Sequence, residues 1–173
     1  PRRVEGFFTR DQLQLLVNRR GNKQELLQLH PKQEIIARPY QLEAAARVME
    51  SFDQQKKRKA LVVMATGTGK TRLSIAIVDL LMRANWARRI LFLADRIALV
   101  EQAKREFKRN LPNVSVGSLL NKKDEDARVL FSTYPTMLNL IDGTRKDSAT
   151  KYAVGHFDLV IIDEAHRSVY QKY

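Results

Sequence analysis

Short runs of apolar residues recur along this chain and are separated by longer segments that mix charged and apolar positions. The runs lack the alternation of a strand that faces water on one side. They have the length of buried strands and lie at 60–65, 89–95, 114–119, 127–133 and 157–163. Helical patterns lie at 41–55, 72–82 and about 97–108. Apolar strands that alternate with helices are typical of a parallel sheet covered on both faces. The pattern therefore predicts a doubly wound α/β fold with a mostly parallel sheet.

A short helical segment is predicted ahead of this pattern, in residues 1–35. Thr9 and Gln12 match a capping box, and Gly21 is suited to end the helix that follows. Apolar positions of this helix fall on one face, at Leu13, Leu16 and Val17. Residues 23–29 predict a second short helix.

Length and composition agree with one globular domain. The chain has 173 residues, of which 44% are hydrophobic, so a core is expected and disorder is not. It has no cysteine, which excludes disulfides and thiolate metal sites. We find no membrane-spanning run and no signal peptide, so we expect a cytoplasmic protein. Because the sequence starts at Pro1 rather than Met and stops at Tyr173, soon after a charged cluster, we expect a piece of a longer protein.

The charge of the chain indicates a polyanionic partner. Lysine and arginine number 31 against 19 acidic residues, a formal net charge of +12. Nucleic acid is the leading candidate for such a partner, although a basic surface also serves solubility. The basic run "QQKKRK" at 54–59 is typical of a solvated loop. The polar stretches at 120–127 and 142–156 also predict surface loops.

The segment "MATGTGKT", residues 64–71, has the composition of a phosphate-binding loop. It follows a predicted strand and precedes a predicted buried helix, as such a loop requires. Gly67 and Gly69 allow a tight turn that brings backbone N–H groups close to phosphate oxygens. Those N–H groups would lie at a helix N-terminus, which favours anions.

The individual side chains of the loop have distinct expected roles. Lys70 would reach the β- and γ-phosphates, and the Thr71 hydroxyl would contact Mg²⁺. Met64 occupies the position where the usual pattern has its first glycine, so the pattern is only partly met and an ordinary turn remains the alternative. The expected nucleotide-binding residues of the loop are Thr66, Gly67, Thr68, Gly69, Lys70 and Thr71.

A second motif, "VIIDEAH" at 160–166, places two carboxylates directly after an apolar strand. In a parallel sheet the end of this strand lies beside the phosphate loop. Asp163 would hold Mg²⁺, directly or through water, and Glu164 would act as general base on the attacking water. An acidic turn in solvent is the alternative. The joint presence of the loop and the acidic motif strongly favours a nucleoside triphosphatase.

Other residues give weaker signals. In "RPYQLEAA", residues 38–45, the Gln41 amide has the donor and acceptor needed for an adenine edge, and Arg38 has a group that stacks on or bonds to a base. Gln41 is equally typical of a helix N-terminus. His166 is compatible with a role that couples nucleotide state to the rest of the protein and equally with a plain hydrogen-bonded histidine. No special role is expected for His30 and His156.

Five segments in this order resemble the first motor lobe of superfamily 2 helicases and translocases: "RPYQ", "ATGTGKT", "LADRIALVEQ", "STYPTM" and "DEAH". The longer strings "FSTYPTM" and "DEAHRSVY" are similar to the motor subunit of type I restriction enzymes. The resemblance covers roughly residues 36–173. It implies a RecA-like P-loop lobe over that range, preceded by a helical segment or linker at 1–35.

The resemblance also implies roles for individual residues. ATP and Mg²⁺ are the implied cofactors; Gln41 and Arg38 match the adenine motif, and Asp163 and Glu164 match the metal- and water-activating carboxylates. Segments that contact nucleic acid in the family are matched by Asp95, Arg96, Thr133, Tyr134 and Met137. From chemistry alone, Arg96 has the charge to bind a phosphate, whereas Asp95 suits the orientation of a neighbour or the capping of a helix. Tyr134 is equally compatible with a packed turn.

The function predicted from these features is that of an ATP-dependent DNA translocase lobe from a type I restriction subunit. Implied partners are duplex DNA and the modification and specificity subunits, and a second motor lobe with an arginine finger is expected outside this sequence. One alternative is another superfamily 2 DNA or RNA helicase or repair translocase. The other is a nucleic-acid-binding module without catalysis, which the intact Lys70, Thr71, Asp163 and Glu164 disfavour.

Overall fold

The computed structural model describes residues 10–120, 126–143, 152 and 155–165. Its helices are α1 (Arg10–Gly21), α2 (Pro39–Asp53), α3 (Lys70–Arg83), α4 (Ile97–Asn110) and α5 (Tyr134–Gly143), with a 3₁₀ turn at Leu26–Gln28. Its strands are β1 (Ile90–Ala94), β2 (Val116–Ser118), β3 (Val129–Thr133) and β4 (Leu159–Ile162). None of the helices within the described ranges is long and apolar enough to cross a membrane.

The strands form one parallel sheet in the order β2-β3-β1-β4. Ile90 of β1 is paired with Val129 of β3 and with Leu159 of β4, so the three strands start together at one edge. We call this the amino edge, and the opposite edge, where the strands end, the carboxyl edge.

Helices pack on both faces of the sheet, and successive side chains of each strand point to opposite sides. On one face Phe92 and Phe131 pack with Phe107 of α4, with ring centroids 5.0–5.7 Å apart. On the other face Leu91 and Leu130 form a smaller core with Met137 of α5. The predicted α/β class, with a parallel sheet and helices on both faces, is confirmed.

The predicted strands at 89–95, 114–119, 127–133 and 157–163 are all present, and so are the three predicted helices. Helix α5 was not predicted. The signal was available in part, since Pro135 occupies the first turn of the helix, where its missing N–H is tolerated. Most of the predicted loops at 120–127 and 142–156 lie outside the described residues.

The prediction of a strand at 60–65 is wrong for this structure. The segment has no regular secondary structure, and Leu61 and Val63 are 83% and 87% exposed. The apolar pattern reports a preference for burial, but a strand also requires a partner for its backbone N–H and C=O groups. Among the described residues the sheet ends at β4, whose Val160 and Ile162 are also exposed.

The segment ahead of α2 is packed onto the sheet domain. Helix α1 ends at Gly21 as predicted, whereas the second predicted helix is reduced to the single 3₁₀ turn. Leu26, Ile35 and Ile36 are buried in the larger core. The proposed capping box involves Thr9, which lies outside the described residues.

A buried carboxylate fastens this segment to α3. Asp79 accepts hydrogen bonds from Lys32 Nζ at 2.9 Å and from Arg83 Nε at 2.8 Å. Arg83 also donates to the His30 carbonyl at 2.8 Å. The side chain of Asp79 is only 7% exposed, so its charge is balanced by two cations in place of water.

Candidate active site

The loop of residues 64–69 leads into α3 at the carboxyl edge. Gly67 and Gly69 have φ angles of +76° and +91°, a region that residues with a Cβ atom rarely adopt. Gly69 is the N-cap of α3, so the first backbone N–H groups of this helix have no partner within it. Such groups at a helix N-terminus bind anions. Met64, at the irregular position of the pattern, is packed against the core.

The phosphate loop and the acidic motif meet in space. Lys70, the first residue of α3, donates from Nζ to Oε1 of Glu164 at 2.7 Å, across 94 positions of sequence. Both side chains are partly exposed, 31% for Lys70 and 23% for Glu164. The proximity of the two motifs was expected from the parallel sheet, and the ion pair brings a cation and a candidate general base into one accessible site.

Glu164 has a φ of 50°, which is unusual for a residue other than glycine. The adjacent backbone is fixed, because Asp163 N–H donates to the Leu93 carbonyl of β1 at 2.9 Å and Glu164 N–H donates to Asp163 Oδ1 at 3.0 Å. Strained backbone of this kind is maintained only where the surrounding structure enforces it.

The environment of Asp163 disfavours its charged form. Burial raises the pKa of the Asp163 carboxyl above its ordinary value of 3.8, and the carboxylates of Glu164 and Asp95 add to this effect. The backbone N–H of Glu164 and the charge of Lys70 act in the opposite direction. A cation beside Asp163 would offset the cost of its negative charge. The carboxylate of Asp163 and the hydroxyl of Thr71 are hard oxygen ligands of the kind that Mg²⁺ prefers.

Three residues of the "RPYQ" segment form a hydrogen-bonded chain that ends on the phosphate loop. Gln41 Nε2 and Tyr40 Oη each donate to the Thr68 carbonyl at 2.9 Å, and Arg38 Nη1 donates to Tyr40 Oη at 2.9 Å. A Cβ atom built on Gly69 would collide with Gln41 Nε2. Tyr40 was missed by sequence reasoning, since only its position between Arg38 and Gln41 gave a signal.

The residues predicted to contact nucleic acid divide into exposed and buried ones. Arg96 is 70% exposed, with Nε 3.6 Å from Asp95 Oδ2, so Asp95 is placed to orient its neighbour. Thr133 and Met137 are buried, and Tyr134 Oη donates to the Asp163 carbonyl at 3.4 Å. Arg96 is therefore the accessible member, and contact with nucleic acid stays a prediction for the whole set.

The remaining candidates are placed as follows. Thr66 is exposed, Thr68 donates from Oγ1 to the Ala65 carbonyl at 2.6 Å, and Thr71 lies partly buried in the first turn of α3. His166 lies outside the described residues. Burial, together with Arg89, lowers the pKa of His156 below its ordinary value, while Asp158 opposes the shift.

Comparison with known proteins places the chain in a family. The model of the family described as "Type III restriction enzyme, res subunit" (ResIII) matches residues 34–173. The endonuclease subunits of the type I restriction enzymes EcoKI (Escherichia coli K12) and EcoAI (Escherichia coli) are 34% and 37% identical to it over 135 residues. Those matches cover 74% and 75% of the chain but only 11% and 16% of the relatives, so the chain spans less than a fifth of their length.

Solved structures agree with the fold. A fragment of an HsdR subunit of a type I restriction enzyme from Vibrio vulnificus is 30% identical with a TM-score of 0.55, over 94% of this chain and 29% of that one. The SWI2/SNF2 ATPase core of Sulfolobus solfataricus has the same fold, with a TM-score of 0.58 at 20% identity over 75% of this chain and 26% of that one. The family model spans most of the sequence, so the chain belongs to the ResIII family and is a superfamily 2 helicase lobe close to the motor subunit of type I restriction enzymes.

Proposed function

We propose that this chain is the ATP-hydrolysing first motor lobe of a DNA translocase, the restriction subunit of a type I restriction enzyme. The observation that carries the proposal is the ion pair between Lys70 and Glu164 at 2.7 Å, which joins the phosphate loop to the acidic motif. In this proposal residues 36–173 form the lobe, residues 1–35 are a helical segment or linker attached to it, and the protein works in the cytoplasm.

The geometry supports the following roles for the residues of the site. ATP lies at the carboxyl edge, with its phosphates against the N–H groups of α3 and its adenine near Gln41 and Arg38. Lys70 exchanges Glu164 for a phosphate oxygen, which leaves the Glu164 carboxylate available to accept a proton from water. Thr71 and Asp163 would hold Mg²⁺, which supplies positive charge to the triphosphate.

Contact with duplex DNA is proposed at the same edge, through Arg96 and residues 132–137, where β3 passes directly into α5. Arg96 follows β1 by two residues, and its side chain is 70% exposed beside Asp95, so its guanidinium is accessible to a phosphate and would bind it without reading bases. Thr133 and Met137 are buried, so they would support this segment from inside the domain, together with Tyr134. The modification and specificity subunits are the proposed protein partners.

The test is the ATPase activity of the intact protein with duplex DNA, single-stranded DNA or duplex RNA at one fixed salt concentration. We expect strong stimulation by duplex DNA alone. Stimulation by single strands or by RNA would overturn the translocase assignment in favour of a helicase. Absence of ATP hydrolysis with all three would overturn the catalytic assignment as a whole. For the isolated chain we expect weak turnover, because the arginine finger is expected in a second motor lobe. An arginine finger contributes about 10³- to 10⁵-fold to the rate in related reactions.

A further inference from the structure

A basic cleft lies at the amino edge, on the opposite side of the domain from the candidate active site. Helix α3 starts beside Glu164, and its 14 residues place the far end about 20 Å away. Trp86 follows that end, and Phe52 lies at the end of α2. The cleft has a volume of about 460 Å³. Its basic and aromatic lining residues are Lys23, Phe52, Lys56, Lys57, Arg58 and Trp86. We call it the amino-edge cleft.

The walls of the amino-edge cleft are held by hydrogen bonds. Trp86 Nε1 donates to the Gln24 carbonyl at 2.8 Å, and Gln24 N–H donates to the Ala84 carbonyl at 3.0 Å. Lys57 N–H donates to the Ser51 carbonyl at 2.9 Å. Lys23 Nζ lies 4.2 Å from the centre of the Trp86 ring, a cation–π contact. The basic side chains thus project from fixed backbone.

The two carboxylates of the cleft are already engaged. Asp53 Oδ2 accepts from the Leu26 N–H at 2.8 Å, and its Oδ1 lies 3.6 Å from Lys56 Nζ. Glu25 accepts from the side chain of Gln28 at 2.6 Å. No carboxylate in the described part of the chain forms an ion pair with Lys57 or Arg58. The positive charge of these two exposed residues is therefore available to a ligand.

The charge continues beyond the cleft. Lys57 and Lys59 also line an adjacent groove of about 380 Å³ beside Arg47. No acidic residue interrupts the run from Lys56 to Lys59. A continuous basic track on fixed backbone suits a ligand with regularly repeated negative charges, and the planar fork of Arg58 suits phosphate in particular.

We propose that the amino-edge cleft binds the phosphodiester backbone of a nucleic acid segment other than the one at the carboxyl edge, without reading its bases. The cleft lies about 20 Å along α3 from the carboxyl edge, so its phosphate contacts would be distinct from those proposed at Arg96. The inference does not depend on ATP hydrolysis. It adds a binding role to residues 54–59, which the sequence predicted as a solvated loop and which are exposed in the structure.

The test compares the intact protein with Lys57→Ala/Arg58→Ala and with a control, Arg105→Ala/Lys108→Ala. The control removes the same charge from exposed positions of α4 that do not line the cleft. Affinity for a labelled duplex and a labelled single strand of equal length is measured by fluorescence anisotropy between about 50 and 200 mM salt. Each lost phosphate contact lowers the slope of log K against log salt by about 0.9 for a duplex and 0.7 for a single strand.

We expect the cleft variant to bind at least one of the two probes about tenfold more weakly and with a slope smaller by about 1 to 2, while the control changes little. The probe that is affected identifies the segment as duplex or single-stranded. Equal losses in the cleft variant and the control would overturn the proposal. So would a cleft variant that loses binding of labelled polyglutamate but not of nucleic acid, since the cleft would then serve an acidic peptide. ATP hydrolysis without DNA, measured in parallel, reports separately on the nucleotide site.

Discussion

Helix α3 carries an ion-pair cluster near each end, and the two clusters differ in how completely they are satisfied. Near its C-terminal end, Asp79 is buried and bonded to both Lys32 and Arg83. At its N-terminal end, Lys70 is bonded to Glu164, and both remain accessible to solvent. The carboxylate of the first cluster is shielded from solvent, whereas the cation and the carboxylate of the second are both accessible to a ligand.

The difference teaches how to separate fold from function in this domain. The Asp79 cluster fastens the segment before α2 to the sheet domain, so its loss should appear in stability. The Lys70 cluster includes Glu164, whose backbone is strained, so its loss should appear in nucleotide chemistry.

Lys70→Ala tests this contrast with the largest expected effect. ATP hydrolysis by the intact protein should fall by about 10²- to 10³-fold, as when one preorganised group that stabilises the transition state is lost. The matched control is Lys32→Ala at the other cluster, for which we expect a lower melting temperature and an ATPase rate near wild type. Equal ATPase losses in the two variants would break the comparison.

Asp79→Ala should be the most destabilising change at the far end of α3. It removes two charge-assisted hydrogen bonds and leaves Lys32 and Arg83 without their shared partner, which should cost about 1 to 3 kcal/mol. Urea denaturation measures the change in the free energy of unfolding. A change below about 0.5 kcal/mol, the range of ordinary surface substitutions, would contradict the proposed role of the Asp79 cluster in stability.

Gly69→Ala tests whether the N-terminal end of α3 requires a glycine. The left-handed backbone at Gly69 should cost about 1 to 2 kcal/mol with alanine, and the new Cβ would also displace Gln41. Gly67→Ala is the matched control, because its backbone is equally left-handed but its Cβ would meet open space. We expect ATP affinity, measured with a fluorescent analogue, to fall further in Gly69→Ala. Shortening the side chain with Gln41→Ser should recover part of the stability lost by Gly69→Ala and none of that lost by Gly67→Ala.

The smallest expected effect is that of Asp163→Asn, which should change how the free energy of unfolding depends on pH. Because the folded-state pKa of Asp163 is raised, its neutral form is favoured in the folded protein, and wild type loses stability as pH rises from 3.8 through the raised value. Without divalent metal, the asparagine variant should therefore be more stable than wild type at pH 7, with a smaller advantage at pH 4. Denaturant titrations at both pH values measure the difference in the free energy of unfolding between the variant and wild type. A stability advantage of the variant that shrinks as pH rises would contradict a raised pKa of Asp163.

Sequence reasoning predicted most of the sheet and both halves of the candidate site. Continuous apolar strands such as β1 and β3 are visible locally because they are buried on both faces. The segment 60–65 has the same pattern but is not in the sheet, since pairing depends on which strand edge is available. The helix α5 was missed because its apolar positions follow a strand without a break.

The sequence by itself determined the chemistry: a glycine loop ending in Lys70 and Thr71, two carboxylates after a strand, and a net charge of +12. Only the tertiary structure decided which groups meet. The pairing of Lys70 with Glu164, the bonds of Tyr40 and Gln41 to Thr68, and the bond of Lys32 to Asp79 each join residues 27 or more positions apart. Local patterns record the preference of a residue for helix, strand or turn. Contacts between distant residues depend on strand order and helix packing, which no short stretch of sequence contains.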